Sequence, residues 1–119
     1  MMTVAAAKGY HASVPKPTVT DIRYGEHERH RLDFWKGPAD TPTPLVFVIH
    51  GGGWREGSKE RLHRFVDTTA LLKEGISVVA INYRLIAHSK EVEPPVKTPL
   101  LDAARALQFV RSKADEEHR

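Results

Sequence analysis

Hydrophobic and polar positions change rhythm several times along the chain. Thr18 to Tyr24 is β-branched and aromatic and is closed by Gly25, which predicts a short strand. Arg29 to Trp35 predicts a second strand, with Leu32 and Phe34 on one face and Glu26-His27-Glu28 as the intervening hairpin turn. Leu45-Val46-Phe47-Val48-Ile49 is apolar at every position. A strand with no polar face needs cover on both sides, which predicts a central strand in a helix-flanked sheet.

After Ser58, a plausible N-cap, the spacing changes to threes and fours: Leu62, Phe65, Val66, Thr69 and Leu72 share a helical face. Gly75 stands where the glycine that ends a helix belongs, and Ile76 to Ile81 predicts another buried strand. Strand, crossover helix and strand make a parallel unit. A loop over 82–98 follows, with Pro99 suited to the first turn of a second helix. There Leu100, Ala103, Ala104, Leu107, Val110 and Ala114 share a face, and the charged residues 115–119 are expected to fray. The pattern predicts an α/β fold of about four strands and two main helices. An antiparallel N-terminal hairpin joins the parallel unit. Residues 1–17, with Pro15 and Pro17 close together, read as an extended tail, and 18–119 as the domain.

Composition narrows the class. The 119 residues suffice for one domain, and 40% hydrophobic with 28% charged residues is ordinary globular composition. No stretch approaches the ~20 apolar residues of a membrane span. Val4 to Ala7 is too short for the apolar region of a secretory signal, so a cytoplasmic location is the expectation. Cysteine is absent, which removes thiol nucleophiles and Cys-based zinc sites. The net charge of +3 is interspersed; even Arg23 to Lys36 contains Glu26, Glu28 and Asp33. Nucleic-acid binding, which favours clustered Lys and Arg, is not expected.

The chemistry concentrates at Ile49-His50-Gly51-Gly52-Gly53-Trp54. Three consecutive glycines after a buried strand carry a high entropic cost. They suit a backbone whose N–H groups must approach a ligand closely, and amides at the carboxyl end of a strand form an anion or oxyanion cradle. The plain alternative is a flexible turn into the helix. A phosphate site is the weaker reading of Gly52 to Lys59. It has the G-x-x-x-x-G spacing, but Ser58 precedes Lys59, the reverse of a P-loop, and Trp54-Arg55-Glu56 fills the loop.

His50-Gly51-Gly52-Gly53-Trp54 resembles the HGGG(W) motif of α/β-hydrolase esterases and lipases, the hormone-sensitive-lipase-like branch and its relatives. The resemblance extends from Asp21 to about Ala114. Asp21-Ile22-Arg23-Tyr24-Gly25 and Leu32-Asp33-Phe34-Trp35 are similar to the first hairpin, and Gly57-Ser58-Lys59 to the start of the first helix. Asn82-Tyr83-Arg84-Leu85 is similar to a D-Y-R-L segment, with Asn in place of the usual Asp. Asp102 to Val110 is similar to the helix before the nucleophile strand. The resemblance implies a carboxylic-ester hydrolase acting on a small-molecule ester without a cofactor. It implies that the Gly52 and Gly53 amides form the oxyanion hole and that His50, with Gly51, supports the loop and is not the catalytic base. Trp54 is implied to pack by the acyl pocket, and Tyr83 and Arg84 to brace the loop from below.

That family carries its nucleophile in G-x-S-x-G, with the acid and base further on. This sequence contains no G-x-S-x-G, so it reads as the front part of an esterase, with no recognisable catalytic triad. Ser58, His63 and Asp67 are close in sequence, but on an ideal helix Ser58 and His63 diverge by about 140°; an N-cap and a solvated face is the preferred reading. His27-Glu28-Arg29-His30 is one residue short of a zincin motif, and on a strand its histidines would face opposite ways, so no metal site is expected. With its partner strand absent, the Leu45 strand would keep an open apolar edge. Such an edge predicts a homo-oligomer, a complementing fragment or poor solubility; a non-catalytic interaction module assembling there is the alternative function.

Overall fold

The computed structural model describes residues 9–38, 43–88 and 93–117. Four strands form one mixed sheet: β1 (Val19–Arg23), β2 (Arg31–Trp35), β3 (Leu45–Ile49) and β4 (Ser77–Ile81), in the order β1-β2-β4-β3. The hairpin β1–β2 and the pair β2–β4 are antiparallel, and β3–β4 is parallel, with Leu45 opposite Ser77 and Ile49 opposite Ile81. The pattern predicts this hairpin joined to a parallel unit, and the arrangement is consistent with the partial α/β-hydrolase sheet that the resemblance implies. The strand buried at every position is β4. Among the described strands the Leu45 strand pairs with β4 alone and lies at the edge of the sheet, the open edge expected of it.

Alternation along β4 divides two cores. Val78 and Ala80 pack with Trp35, Val48 and Leu62 on one face, where Leu71 and Leu72 add partial cover. Val79 and Ile81 pack with Leu32, Tyr83, Ala103 and Ala106 on the other. β3 obeys the same logic, with Val46 and Val48 on the first face and Phe47 on the second. Both its faces have cover, yet Leu45 and Ile49 at its ends are 38% and 41% exposed.

The single helix expected after Ser58 is two pieces. Lys59–Arg64 is a 3-10 helix and α1 is Thr68–Lys73. Ser58 occupies the cap position of the first piece but makes no side-chain cap bond. The break follows from Asp67, whose carboxylate accepts the Ala70 amide at 3.1 Å and starts a new helix. Phe65 is consequently half-exposed and Thr69 exposed, while Leu62 is fully buried. Gly75 ends α1 as expected: at φ +78° it donates to Leu72 O, and Ile76 donates to Leu71 O, the two bonds of a Schellman cap.

The second helix, α2, spans Lys97–Glu117, so residues 115–117 are helical rather than frayed. Its buried stripe is rotated from the expected one. Thr98, Pro99, Asp102, Ala103 and Ala106 are buried, whereas Leu100 and Ala104 are exposed. An apolar-stripe reading discounts Asp102, which Arg84 and His30 hold inward. The loop expected over 82–98 contains a short 3-10 turn at Ile86–His88.

Residues 9–17, expected as an extended tail, run through turns and pack onto the sheet. Tyr10 and Val14 are buried, Tyr10 Oη donates to Asp33 Oδ2 at 2.5 Å, and Trp35 Nε1 donates to Pro15 O at 2.8 Å. Met1–Ala7 lies outside the described residues. Among the described residues no helix is long and apolar enough to cross a membrane.

Candidate active site

The glycine turn leaves the carboxyl end of β3. Gly52, Gly53 and Trp54 all have positive φ, at +129°, +62° and +64°. The Arg55 and Glu56 amides both return to the Gly52 carbonyl, at 3.1 and 3.3 Å. Two central residues with positive φ give a turn of the primed hand, for which glycine is the natural residue. At Gly52 the requirement is also steric, since a Cβ would stand 2.0 Å from the Glu56 carbonyl oxygen. At Gly53 it is conformational alone, because a Cβ would meet nothing within 4 Å. Trp54 accepts the left-handed conformation despite its bulk. Its ring packs on Tyr83 at 5.1 Å, and its carbonyl accepts the Ile86 amide at 2.8 Å.

Among the described residues, neither the Gly52 nor the Gly53 amide has a protein acceptor. Gly53 is exposed and Gly52 half-buried, so the turn that carries both donors reaches the surface. The two are adjacent at the end of a parallel strand, the usual position of ligand sites in open α/β sheets.

Beneath the turn lies a stacked pair. His50, 3% exposed, lies flat against Tyr83 with ring centroids 4.1 Å apart and planes 8° from parallel. Tyr83 Oη donates to the His50 carbonyl at 2.8 Å, and His50 Nδ1 is 2.8 Å from the Gly51 carbonyl, the geometry of an Nδ1–H donor. Burial is the largest influence on His50 and lowers its pKa, with the bond to Gly51 opposing. The ring is therefore a neutral part of the wall. Its Nε2 is buried with no protein partner among the described residues.

Three flanking networks hold the turn's surroundings. Asn82 Oδ1 accepts the Lys59 amide at 2.7 Å, so the residue that replaces an expected Asp caps the segment after the turn. The Lys59 ammonium lies 3.0 Å from Asp33, 2.6 Å from Glu60 and 3.4 Å from Asp21. Burial alone would lower the Lys59 pKa, but the Glu60 and Asp33 carboxylates raise it overall. A lysine committed in this way is not available to a phosphate, which removes the main cation from the P-loop reading. Asp102, 2% exposed, accepts the Arg84 amide at 2.8 Å and its guanidinium at 2.8 and 3.0 Å. His30 Nε2 stands 3.0 Å from the same carboxylate, near enough to pair but off the line of a straight hydrogen bond.

His27 and His30 belong to the turn before β2, and their rings lie 5.6 Å apart, not on opposite faces of a strand. His30 is buried, with Nδ1 accepting the His27 amide at 3.0 Å, and the His88 ring is 5.1 Å from that of His27. Among the described residues no group of three or more His, Asp or Glu side chains could hold a metal ion. Ser58, His63 and Asp67 do not converge. Asp67 caps α1, and the His63 ring stacks on His11 at 4.7 Å. A cavity of about 350 Å³ lies between Ile22, Leu32, Phe34, Val79 and Phe109, and another of about 390 Å³ lies by Val14 and residues 63–68; neither touches residues 50–54.

Sequence reasoning missed Arg29, whose guanidinium donates to Tyr83 O and Gly57 O, both at 2.7 Å. An arginine in a hairpin turn carries no local signal for a contact 54 residues away.

Comparison with known proteins places these features in a wider group. The BD-FAE family model matches residues 32–118. Kynurenine formamidase of Danio rerio is 35% identical over 69 residues, which are 57% of this chain and 23% of that protein. Esterase LipC of Mycobacterium tuberculosis is 25% identical over 97 residues, 80% of this chain and 23% of LipC. Among solved structures, esterase B from Lactobacillus rhamnosis superposes with a TM-score of 0.59 at 26% identity, covering 77% of this chain and 28% of that one. The chain thus spans about a quarter of the length of the curated relatives it matches.

Proposed function

Since the chain belongs to the BD-FAE family of α/β-hydrolase-like esterases, we propose that it supplies the oxyanion-binding turn of a carboxylic-ester hydrolase. The observation that carries this reading is the pair of adjacent amides, Gly52 and Gly53, left without protein acceptors on a turn whose base is fixed by His50 and Tyr83. When a nucleophile attacks an ester carbonyl, negative charge grows on the carbonyl oxygen. Donors already in place stabilise that charge without reorganising, and losing one typically costs ~2.7–4 kcal/mol of transition-state stabilisation. His50, Gly51 and Trp54 support the turn. His50 is buried and neutral and donates Nδ1–H to the backbone, so it is a poor candidate for the base. The substrate class is a small-molecule ester. The nucleophile, acid and base are not among these residues.

The test is a chimera in which this chain replaces the matching 97-residue segment of esterase LipC. Expected are a folded protein that hydrolyses p-nitrophenyl butyrate and a Gly52→Ala variant, which keeps its N–H but displaces it through the clash with the Glu56 carbonyl, with kcat lower by about 10²–10³-fold at similar KM. The isolated chain should hydrolyse the ester no faster than buffer. A folded, active chimera indifferent to Gly52→Ala would overturn the assignment.

A second reading has its own support, because among the described residues β3 pairs only with β4 and its other edge is apolar and open. Such an edge recruits another strand, so the isolated chain is expected to self-associate or to capture a complementing segment. The non-catalytic module would show stable oligomers and no esterase activity in any completed form.

A further inference from the structure

We propose that Arg29 is a positioning residue that closes the glycine turn from outside, a role that rests on the oxyanion reading only for its catalytic consequence. The turn has two ends. At the near end, the His50 carbonyl is held by Tyr83 Oη at 2.8 Å. At the far end, the Gly57 carbonyl is held by Arg29 Nη2 at 2.7 Å, while Nε of the same guanidinium binds the Tyr83 carbonyl at 2.7 Å. Residues 50 and 57 are thereby fastened to one scaffold, the segment leaving β4.

Three observations make this more than a surface contact. The ends of the turn touch: Gly57 has φ +102°, and a Cβ there would stand 2.5 Å from Gly51 O and 2.8 Å from His50 Nδ1. A shift of Gly57 therefore moves the carbonyl of Gly51 and the ring of His50, next to the Gly52 and Gly53 amides. Arg29 is itself held, its amide donating to His27 Nδ1 at 3.0 Å beside the buried His30. Finally, among the described residues no carboxylate lies within ion-pair distance of the Arg29 guanidinium, although it is half-buried. Desolvating a cation for two neutral carbonyls is unfavourable unless geometry is the gain. The planar fork of arginine delivers two fixed donors in divergent directions, which the single ammonium of lysine cannot reproduce.

Amide exchange measured by NMR on the whole chain tests the clamp. The Arg55 and Glu56 amides, bonded to Gly52 O, report on the turn, and Val78–Ile81 in β4 provides the reference. Arg29→Gln and Arg29→Lys are both expected to speed exchange at Arg55 and Glu56 about ten-fold or more relative to β4, the effect of losing a hydrogen bond to a charged group. Lysine, which keeps the charge, should behave like glutamine rather than wild type; should Arg29→Gln not fold, Arg29→Lys carries the measurement. Acceleration spread evenly over turn and sheet, or none at the turn, overturns the clamp. In the LipC chimera, Arg29→Lys is expected to lower kcat about ten-fold with KM little changed. Faster exchange with unchanged kcat would leave the clamp standing and remove the oxyanion reading.

Discussion

Asp102→Asn is the sharpest probe of what holds this half-sheet together. The carboxylate is 2% exposed and gathers the Arg84 amide, the Arg84 guanidinium and His30 around two oxygens. It links the hairpin turn, the segment after β4 and α2. Asparagine keeps the shape but offers one acceptor oxygen, and its NH₂ group meets a guanidinium or an imidazole. Arg84 is 33% exposed and can turn to water, so its loss is discounted for solvent screening. His30 and the Arg84 amide have less freedom to do so. Breaking a buried pair on one side typically costs ~3–5 kcal/mol, a large part of the ~5–15 kcal/mol that holds a domain folded. Urea unfolding followed by circular dichroism should show the midpoint lowered by at least about 1 M at unchanged m-value. The pH dependence gives a second reading. Burial would raise the Asp102 pKa, but bonds from the Arg84 side chain and backbone, together with the nearby His30 ring, outweigh it, so the folded pKa lies below the ordinary carboxylate value. Its contribution is therefore complete above about pH 4 and lost as pH falls through the folded pKa. The gap between wild type and variant should close in acid. A cost below about 1 kcal/mol at pH 7, or a gap that does not narrow as pH falls below about 4, would refute the reasoning.

Other outcomes follow from the same geometry. Tyr83→Phe keeps the stack on His50 but removes the donor to its buried carbonyl, at a cost of ~1–3 kcal/mol in chemical denaturation. Gly53→Ala should cost ~1–2 kcal/mol, the strain of a left-handed alanine in open space, while Gly52→Ala, facing a 2.0 Å clash, should cost more and disturb the turn; thermal unfolding ranks the two. The lowered His50 pKa makes its contribution complete above about pH 6.5 and progressively lost as pH falls toward the folded value, so Tm should decline from pH 7 to 5 and His50→Gln should flatten that decline. Light scattering should find the isolated chain associating at high concentration, and Leu45→Lys at the exposed end of β3 should reduce association if the open edge is responsible.

Much of this protein was legible in local pattern. Strand positions, the parallel unit, the Gly75 cap and the chemically suggestive glycines depend on steric and periodic rules that act over a few residues. Those rules see alternation, φ preference and apolar runs, and they placed Leu32 and Phe34 on one face and the turn at the end of β3 correctly. What they could not see was any polar group whose partner is distant in sequence. Asp67 broke a helix that apolar spacing predicted to be continuous. Asp102 turned α2 because Arg84 and His30 reward its burial. Tyr10 drew the tail onto Asp33, and Arg29 reached across to Tyr83 and Gly57. Hydrophobic burial is non-directional and leaves its mark as periodicity in the chain, whereas a buried charge is stable only where its partners converge, and that convergence exists only once the fold has formed.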